Sequence, residues 1–379
     1  MKGKISVSLI ALYLLPWGIQ CLINNFMPVY IASLPFATER TVGEMVGLGA
    51  VITAVSQLAW AFFAGKSRNK SNVLALSLLF LSGFSMLFLT ENMTYTRLLI
   101  FVILFYSCYM AHQPLIDTIA SENFTKTKHS FGFFRSFASL GYALMGFVFT
   151  FLPNENPKIF FLYTAILSFL SLVFSKTVSA KESASPKEER GSVKVFTPAF
   201  VKFLVYTFLL FAASSSISAF FSVYFTGEEY LGGKVGIFSL LVSVSAVAEW
   251  LLVILFGRWI PKMKSKWVFF LIPFSGIFRC LFIYIAKTPL VASFSFVFCS
   301  IWFGILWAAV TPYIKKNVES GANVFAQGLF TVVSSGAGGF FGSYISGIYA
   351  ECFGLRTLFL TLTLVLVALS LLTPLLIKD

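Results

Sequence analysis

Charged residues are scarce in this 379-residue chain, at 11% of the total, against about a quarter in soluble globular proteins. Hydrophobic residues make up 58% and aromatics 18%. A water-soluble fold of this length could not hide that much apolar surface, so hydrocarbon is the solvent expected for most of it. Histidine and cysteine are also few, at 2 and 5. Cys21, Cys108, Cys280, Cys299 and Cys352 are scattered without disulfide or metal spacing and read as small buried hydrophobes. The chain has no Gly-rich phosphate loop, no Ser-His-Asp arrangement and no metal cluster. An enzyme is therefore not expected, and neither is a metal or a cofactor.

Long apolar runs take the place of these features. A helix needs about 20 mostly apolar residues to cross a bilayer, and the chain divides into about twelve such runs. They lie near 5–33, 42–64, 72–90, 97–121, 131–152, 159–176, 200–226, 233–257, 267–286, 289–314, 321–350 and 355–377. Barrel strands would be shorter and would alternate in polarity, so an all-α membrane protein is expected. The start "MKGKISVSLIALYLL" resembles a signal peptide, but its apolar run outlasts a signal core of about 7–15 residues and reads as an uncleaved first span.

The formal charge of +13 could suggest nucleic acid, but its distribution argues otherwise. With the amino terminus inside, 20 of the 28 Lys and Arg residues fall on the cytoplasmic side, 6 fall outside and 2 lie within spans. The cytoplasmic clusters include Lys66, Arg68 and Lys70, then Lys262, Lys264 and Lys266. This is the positive-inside asymmetry of a multi-pass protein with both termini cytoplasmic. No basic patch remains for nucleic acid, and the lipid bilayer of the cell membrane is the expected surrounding.

The longest hydrophilic stretch, "KTVSAKESASPKEERGSVKV" at 176–195, is rich in Ser, Lys and Glu and cannot build a core. It divides the chain into 1–175 and 199–379, each with six runs, around a cytoplasmic linker at 176–198. The halves echo each other, with "AGKSRNKSN" after the second run and "FGRWIPKMKSK" after the eighth. Two six-helix halves joined by a long inner loop resemble the major facilitator superfamily, whose solute site lies near the bilayer midplane. That superfamily's inner-loop signature places an acid between its glycine and its basic residues. Gly65, Arg68 and Lys70 are present here and the acid is missing.

Four ionisable residues lie deep in the runs: Asp117, Arg135, Glu249 and Arg279. Each costs roughly 2.5–3.5 kcal/mol at a helix centre on insertion scales. One acid and one base occur in each half. They read as the lining of a wet cavity or, alternatively, as ion pairs that fasten helices. Gln113 is four residues before Asp117 on one helical face, and Ser245 and Ser275 stand likewise to Glu249 and Arg279. Tyr142 lies about two turns after Arg135. A guanidinium beside an aromatic ring suits a hydroxylated ring solute. In the first run, the amides of Gln20 and Asn24 share a face, where they serve either as helix glue or as solute contacts.

The stretch "FGFFRSFASLGYALMG" at 131–146 resembles the fifth helix of the oligosaccharide proton symporters, the lactose permease group. Phe131, Gly132, Arg135, Phe137, Gly141, Tyr142, Ala143 and Leu144 carry the likeness. Asp117 stands 18 residues before Arg135, the spacing of that group's acid and arginine. "AEWLLVILFGRWI" places Glu249 on its eighth-helix glutamate, and Arg279 falls near its ninth-helix arginine. The resemblance implies that Asp117 and Arg135 hold a sugar, that Tyr142 stacks on it, and that Glu249 also contacts it. It implies proton transfer for Arg279. The group's tenth-helix histidine and glutamate would fall near Cys299 and Trp302, which cannot carry protons, and its seventh-to-eleventh-helix charge network is absent. Proton coupling is therefore expected from Glu249, since a carboxyl in low dielectric can shed its charge. Asp117 is the second candidate, and His112 is a third that also reads as a packing residue.

The expected function is proton-coupled import of a sugar, oligosaccharide or similar hydroxylated solute by a monomer. Nucleoside or aromatic-acid uptake is the alternative. Drug export and a non-transporting membrane sensor follow behind.

Overall fold

The computed structural model describes residues 2–378 apart from 68, 124–130, 154–155, 179–194, 258 and 320–321. The expected linker lies mostly outside the described residues. All regular structure among those described is helical. Among the described residues, eleven helices are long and apolar enough to cross a membrane.

The first unit comprises residues 1–36 and 52–187. It contains α1 (Lys2–Ala32), the C-terminal part of α2 (Glu39–Lys66), α3 (Lys70–Leu87), α4 (Tyr95–Tyr109), α5 (His112–Asn123), α6 (Phe131–Phe151) and α7 (Ile159–Thr177). Helix α1 runs through Pro16 and Pro28 and packs on α6 and α7, while α3 packs on α7 and α4. Caps mark the turns. The Asn69 side chain accepts from Ser71 N–H and the Thr94 hydroxyl from Arg97 N–H, satisfying amides that helix starts leave open.

The second unit comprises residues 37–51 and 188–379. It contains the N-terminal part of α2, then α8 (Pro198–Thr226), α9 (Val235–Phe256), α10 (Ser265–Ile285), the short α11 (Pro289–Ser293), α12 (Ser295–Asn317), α13 (Asn323–Thr331), α14 (Gly339–Phe353) and α15 (Leu355–Leu376). Here α10 packs on α15 and α12, α12 on α9, and α8 on α14 and α15. Glycines allow the closest approaches. A Cβ built on Gly342 would stand 2.7 Å from Ala212 Cα, and one on Gly43 would stand 2.8 Å from Gly347 Cα. At the turn after α8, Tyr230 donates a 3.0 Å hydrogen bond to Glu39 Oε1. Burial, and then the Glu39 carboxylate, push the Tyr230 hydroxyl's pKa well up from its ordinary value.

Two spans differ from their expected form. The run expected at 97–121 is broken at Met110–Ala111, because Pro114 has no N–H to continue the ladder. The run expected at 321–350 contains a π-helical segment, Val332–Gly338, between α13 and α14. Its sequence, VVSSGAG, has two glycines and no long side chain, so the backbone can widen there. Such π segments are rare and concentrate at functional places.

Candidate functional site

The first unit's site grows from the crossing of α1 and α6. A Cβ built on Gly141 would stand 2.7 Å from Leu14 Cα, closer than bonded geometry elsewhere could relieve. Gly18 is fitted in return, since a Cβ built there would stand 3.2 Å from Met145 Cβ. Small residues at such a crossing let two backbones approach, which carries the α1 side chains in beneath α6.

Asp117 of α5 accepts a 2.7 Å hydrogen bond from the Tyr13 hydroxyl of α1. The same carboxylate oxygen lies 3.8 Å from Arg135 Nε of α6, an ionic contact longer than a hydrogen bond. The guanidinium sits over the Trp17 ring, 4.7 Å from its centroid, and 6.0 Å from the Tyr13 centroid. Those rings adjoin at 5.3 Å, and His112 meets Trp17 edge-on at 5.5 Å. Tyr13 and His112 are fully buried. The Arg135 and Asp117 side chains keep 36% and 32% of their surface accessible. The arrangement is a dry aromatic floor carrying an accessible acid–base pair, with the carboxylate fixed from below.

A second layer lies further along α1. The Tyr109 hydroxyl donates to Asn24 Oδ1 at 2.8 Å, and Asn25 Nδ2 donates to the Tyr142 hydroxyl at 3.0 Å. Tyr142 is thus engaged with α1, about 10 Å along α6 from Arg135. The ring that lies against the guanidinium belongs to Trp17. Asn24 stays exposed while Gln20 and Gln113 are half-buried. Sequence reasoning passed over Tyr13 and Trp17, although the signal was present. Tyr13, Trp17, Gln20 and Asn24 stand at i, i+4, i+7 and i+11, a single helical stripe.

The second unit holds its two charges differently. Glu249 of α9 is half-buried. Arg279 of α10 is buried, and its Nε and Nη1 have no hydrogen-bond partner. Ion pairs join Arg40 to Glu44 and Arg135 to Asp117, and none joins Glu249 to Arg279 among the described residues. Ser245 and Ser300, with hydroxyl oxygens 3.0 Å apart, tie α9 to α12. Trp302, fully buried, covers Gly276 of α10, where a Cβ would stand 2.7 Å from Trp302 Cε3. Ser275 donates to Ile272 O in its own helix. Of the two serines expected beside the charges, Ser245 thus joins two helices and Ser275 bonds back within its own.

A buried guanidinium with open donors is destabilising until an acceptor reaches it. Arg279→Met should therefore raise the thermal unfolding midpoint of the detergent-purified protein, by about 1 kcal/mol in stability. A lowered midpoint would mean that the guanidinium has a stabilising partner. Among the described residues no group of His, Cys, Asp and Glu could hold a metal ion.

Comparison with known proteins places this geometry in context. A family model described as "MFS_1 like family" matches residues 6–361. The chain is 19% identical over 344 residues to "Uncharacterized transporter YwbF" of Bacillus subtilis (strain 168), covering 88% of this chain and 84% of that protein. Its fold is similar to a mutant of the nucleoside transporter NupG, with TM-score 0.85 and 16% identity over 99% of this chain and 100% of the other. It is also similar to a bacterial homologue of the human lysosomal transporter Spinster in an inward-facing, unoccupied state, with TM-score 0.76 and 14% identity over 99% and 97% of the two chains. A mutant of a peptide transporter, POT, gives TM-score 0.73 and 11% identity over 98% and 97%.

Proposed function

The chain belongs to the MFS_1 like family and is a multi-pass secondary transporter of the major facilitator type, and from that premise we propose that it moves a solute with a hydroxylated ring, coupled to protons. The observation that carries this reading is the Asp117 carboxylate held between the Tyr13 hydroxyl and the Arg135 guanidinium, above the Trp17 ring. A carboxylate offers further acceptor positions to vicinal hydroxyls, and a guanidinium offers paired donors. The buried Trp17 ring beneath holds the guanidinium in place and leaves the acid–base pair as the accessible surface for the solute. Asn24, Gln20 and Gln113 supply amides at half-buried or exposed positions around it, and Tyr142 supplies a second aromatic edge. Glu249 is the proposed proton carrier, with Arg279 the buried cation that senses its charge. Asp117 and His112 are secondary candidates for proton movement.

A nucleoside is the second reading. The accessible Arg135 guanidinium favours it, since a planar guanidinium stacks on a π-face that a nucleobase has and a pyranose lacks. The fold likeness to a nucleoside transporter points the same way. The proposed setting is the cell membrane, with both termini cytoplasmic and the protein monomeric.

Uptake by purified protein in liposomes tests the proposal. Radiolabelled lactose, melibiose, uridine and adenosine should be offered with and without an inwardly directed proton gradient. At least one should accumulate, and collapse of the gradient should abolish accumulation while leaving solute counterflow. Absence of counterflow for all four would overturn the hydroxylated-ring reading. Accumulation indifferent to the gradient would overturn the proton coupling.

A further inference from the structure

The fourth span is not a continuous helix, and its break sits immediately before the segment that supplies Asp117. Pro114 has no N–H, so the Met110 carbonyl loses the partner that an unbroken helix would give it. Ala111 N–H turns back to Cys108 O at 3.3 Å, and this leaves Ser107 O without its usual fourth-residue donor. Two carbonyls at mid-helix are thereby opened within an apolar surrounding, where an unsatisfied group is costly.

Both are met by side chains of α2. Trp60 Nε1 donates to Ser107 O at 2.8 Å, and Gln57 Nε2 donates to Met110 O at 3.2 Å. Gln57 and Trp60 are three residues apart, hence on one face of α2, and the two carbonyls are three residues apart across the C-terminal end of α4. The register is matched at both points. Gln113 N–H adds a weaker 3.3 Å bond to Met110 O, which tightens the turn without fixing its direction. Both α2 residues are only half-buried, and beside them Val55, Leu58, Phe62 and Phe63 are exposed apolar side chains. A glutamine on that apolar helix has no other hydrogen-bonding partner given by the structure. Its place is explained by the carbonyl it reaches.

We propose that Gln57 and Trp60 are positioning residues of the transport cycle, clamping the broken fourth span so that α5 presents Asp117 to Tyr13 and Arg135. The inference rests on the assignment of Asp117 to the solute site. The lever is short. Asp117 lies seven residues past Met110, about two turns or 10 Å, so a change of about 10° in the direction of α5 moves its carboxylate by roughly 2 Å. A 3.8 Å ionic contact does not survive that displacement as a contact.

Two variants remove the donors and keep the packing, Trp60→Phe and Gln57→Leu. Two measurements on the full-length protein read the effect. The first needs no solute. With Gln113 replaced by cysteine in a background free of other cysteines, its rate of alkylation by N-ethylmaleimide reports the exposure of the first turn of α5. Each clamp variant should shift that rate by about fivefold, the equivalent of one net hydrogen bond. The second is uptake of whichever of uridine or lactose the wild type transports. The half-saturation concentration should rise about fivefold, with the maximal rate less affected. Pro114→Ala supplies the missing N–H, so combining it with Gln57→Leu should remove most of the effect of Gln57→Leu alone, a non-additivity that a purely structural loss would not produce. An alkylation rate unchanged in both clamp variants would overturn the inference, as would additive effects in the double variant. Wild-type protein that transports neither solute while the alkylation rates shift would instead count against Asp117 as the solute site and leave the clamp standing. If Gln57→Leu fails to fold, Gln57→Met, which keeps the side-chain length and removes the donor to Met110 O, takes its place, and an unchanged alkylation rate in it would equally overturn the inference.

Discussion

Solute uptake by the Arg135→Lys variant should fall to about one hundredth of the wild-type rate, although the charge is conserved. Lysine places a compact ammonium where the structure uses a planar fork. The guanidinium lies over the Trp17 ring, 4.7 Å from its centroid, while its Nε stands 3.8 Å from Asp117. A flexible ammonium cannot hold both relations and still present paired donors to vicinal hydroxyls. Asp117→Asn should be comparably severe, because it leaves the guanidinium without an anion and gives the solute a mixed donor–acceptor in place of a carboxylate. Tyr13→Phe is the graded control. It removes only the 2.7 Å bond that steadies the carboxylate, and a net hydrogen bond of about 1 kcal/mol predicts roughly a fivefold rise in half-saturation concentration. Initial rates in proteoliposomes, normalised to reconstituted protein, check all three. Arg135→Lys and Asp117→Asn transporting as well as wild type would sink the assignment of the site.

How far this arrangement was legible in the sequence depended on the kind of signal. Charge inside an apolar run stands out without any coordinates, and so Asp117, Arg135, Glu249 and Arg279 could be named from their cost alone. That cost does not say which partner meets them. Asp117 and Arg135 do meet, whereas Glu249 and Arg279 in the second unit do not form an ion pair, because helix spacing fixes a face and not the neighbouring helix. Tyr13 and Trp17 escaped notice for a different reason. In a chain with 46 phenylalanines, 14 tyrosines and 7 tryptophans, an aromatic carries little information until the helix it faces is known. Tyr142 was the converse case. Its spacing from Arg135 was read correctly as one face, yet its hydroxyl is taken by Asn25, and the ring beside the guanidinium came from another helix. The break before His112 was available in Pro114, but hydropathy averages across a proline, and the 97–121 run read as unbroken.

The second large effect lies in packing, where a single methyl group should be decisive. Gly141→Ala places a Cβ against the α1 backbone, 2.7 Å from Leu14 Cα. The atoms it meets are main chain, so no rotamer change can relieve the clash, and the helices must separate. Inserting volume into a tight core typically costs about 1–3 kcal/mol, and the upper end applies where both sides are backbone. Thermal unfolding in detergent should show the loss directly. Transport should fall further than stability does, because α1 carries Tyr13 and Trp17 while α6 carries Arg135, and the crossing at Gly141 fixes the distance between them. Gly83 offers the contrasting case within the same unit, with nothing within 4 Å of a built Cβ. Gly83→Ala should be neutral or slightly stabilising, since alanine is favoured over glycine in a helix by up to about 1 kcal/mol. If Gly141→Ala behaved like Gly83→Ala in both stability and uptake, the close α1–α6 crossing could not be what holds the acid–base pair over its aromatic floor.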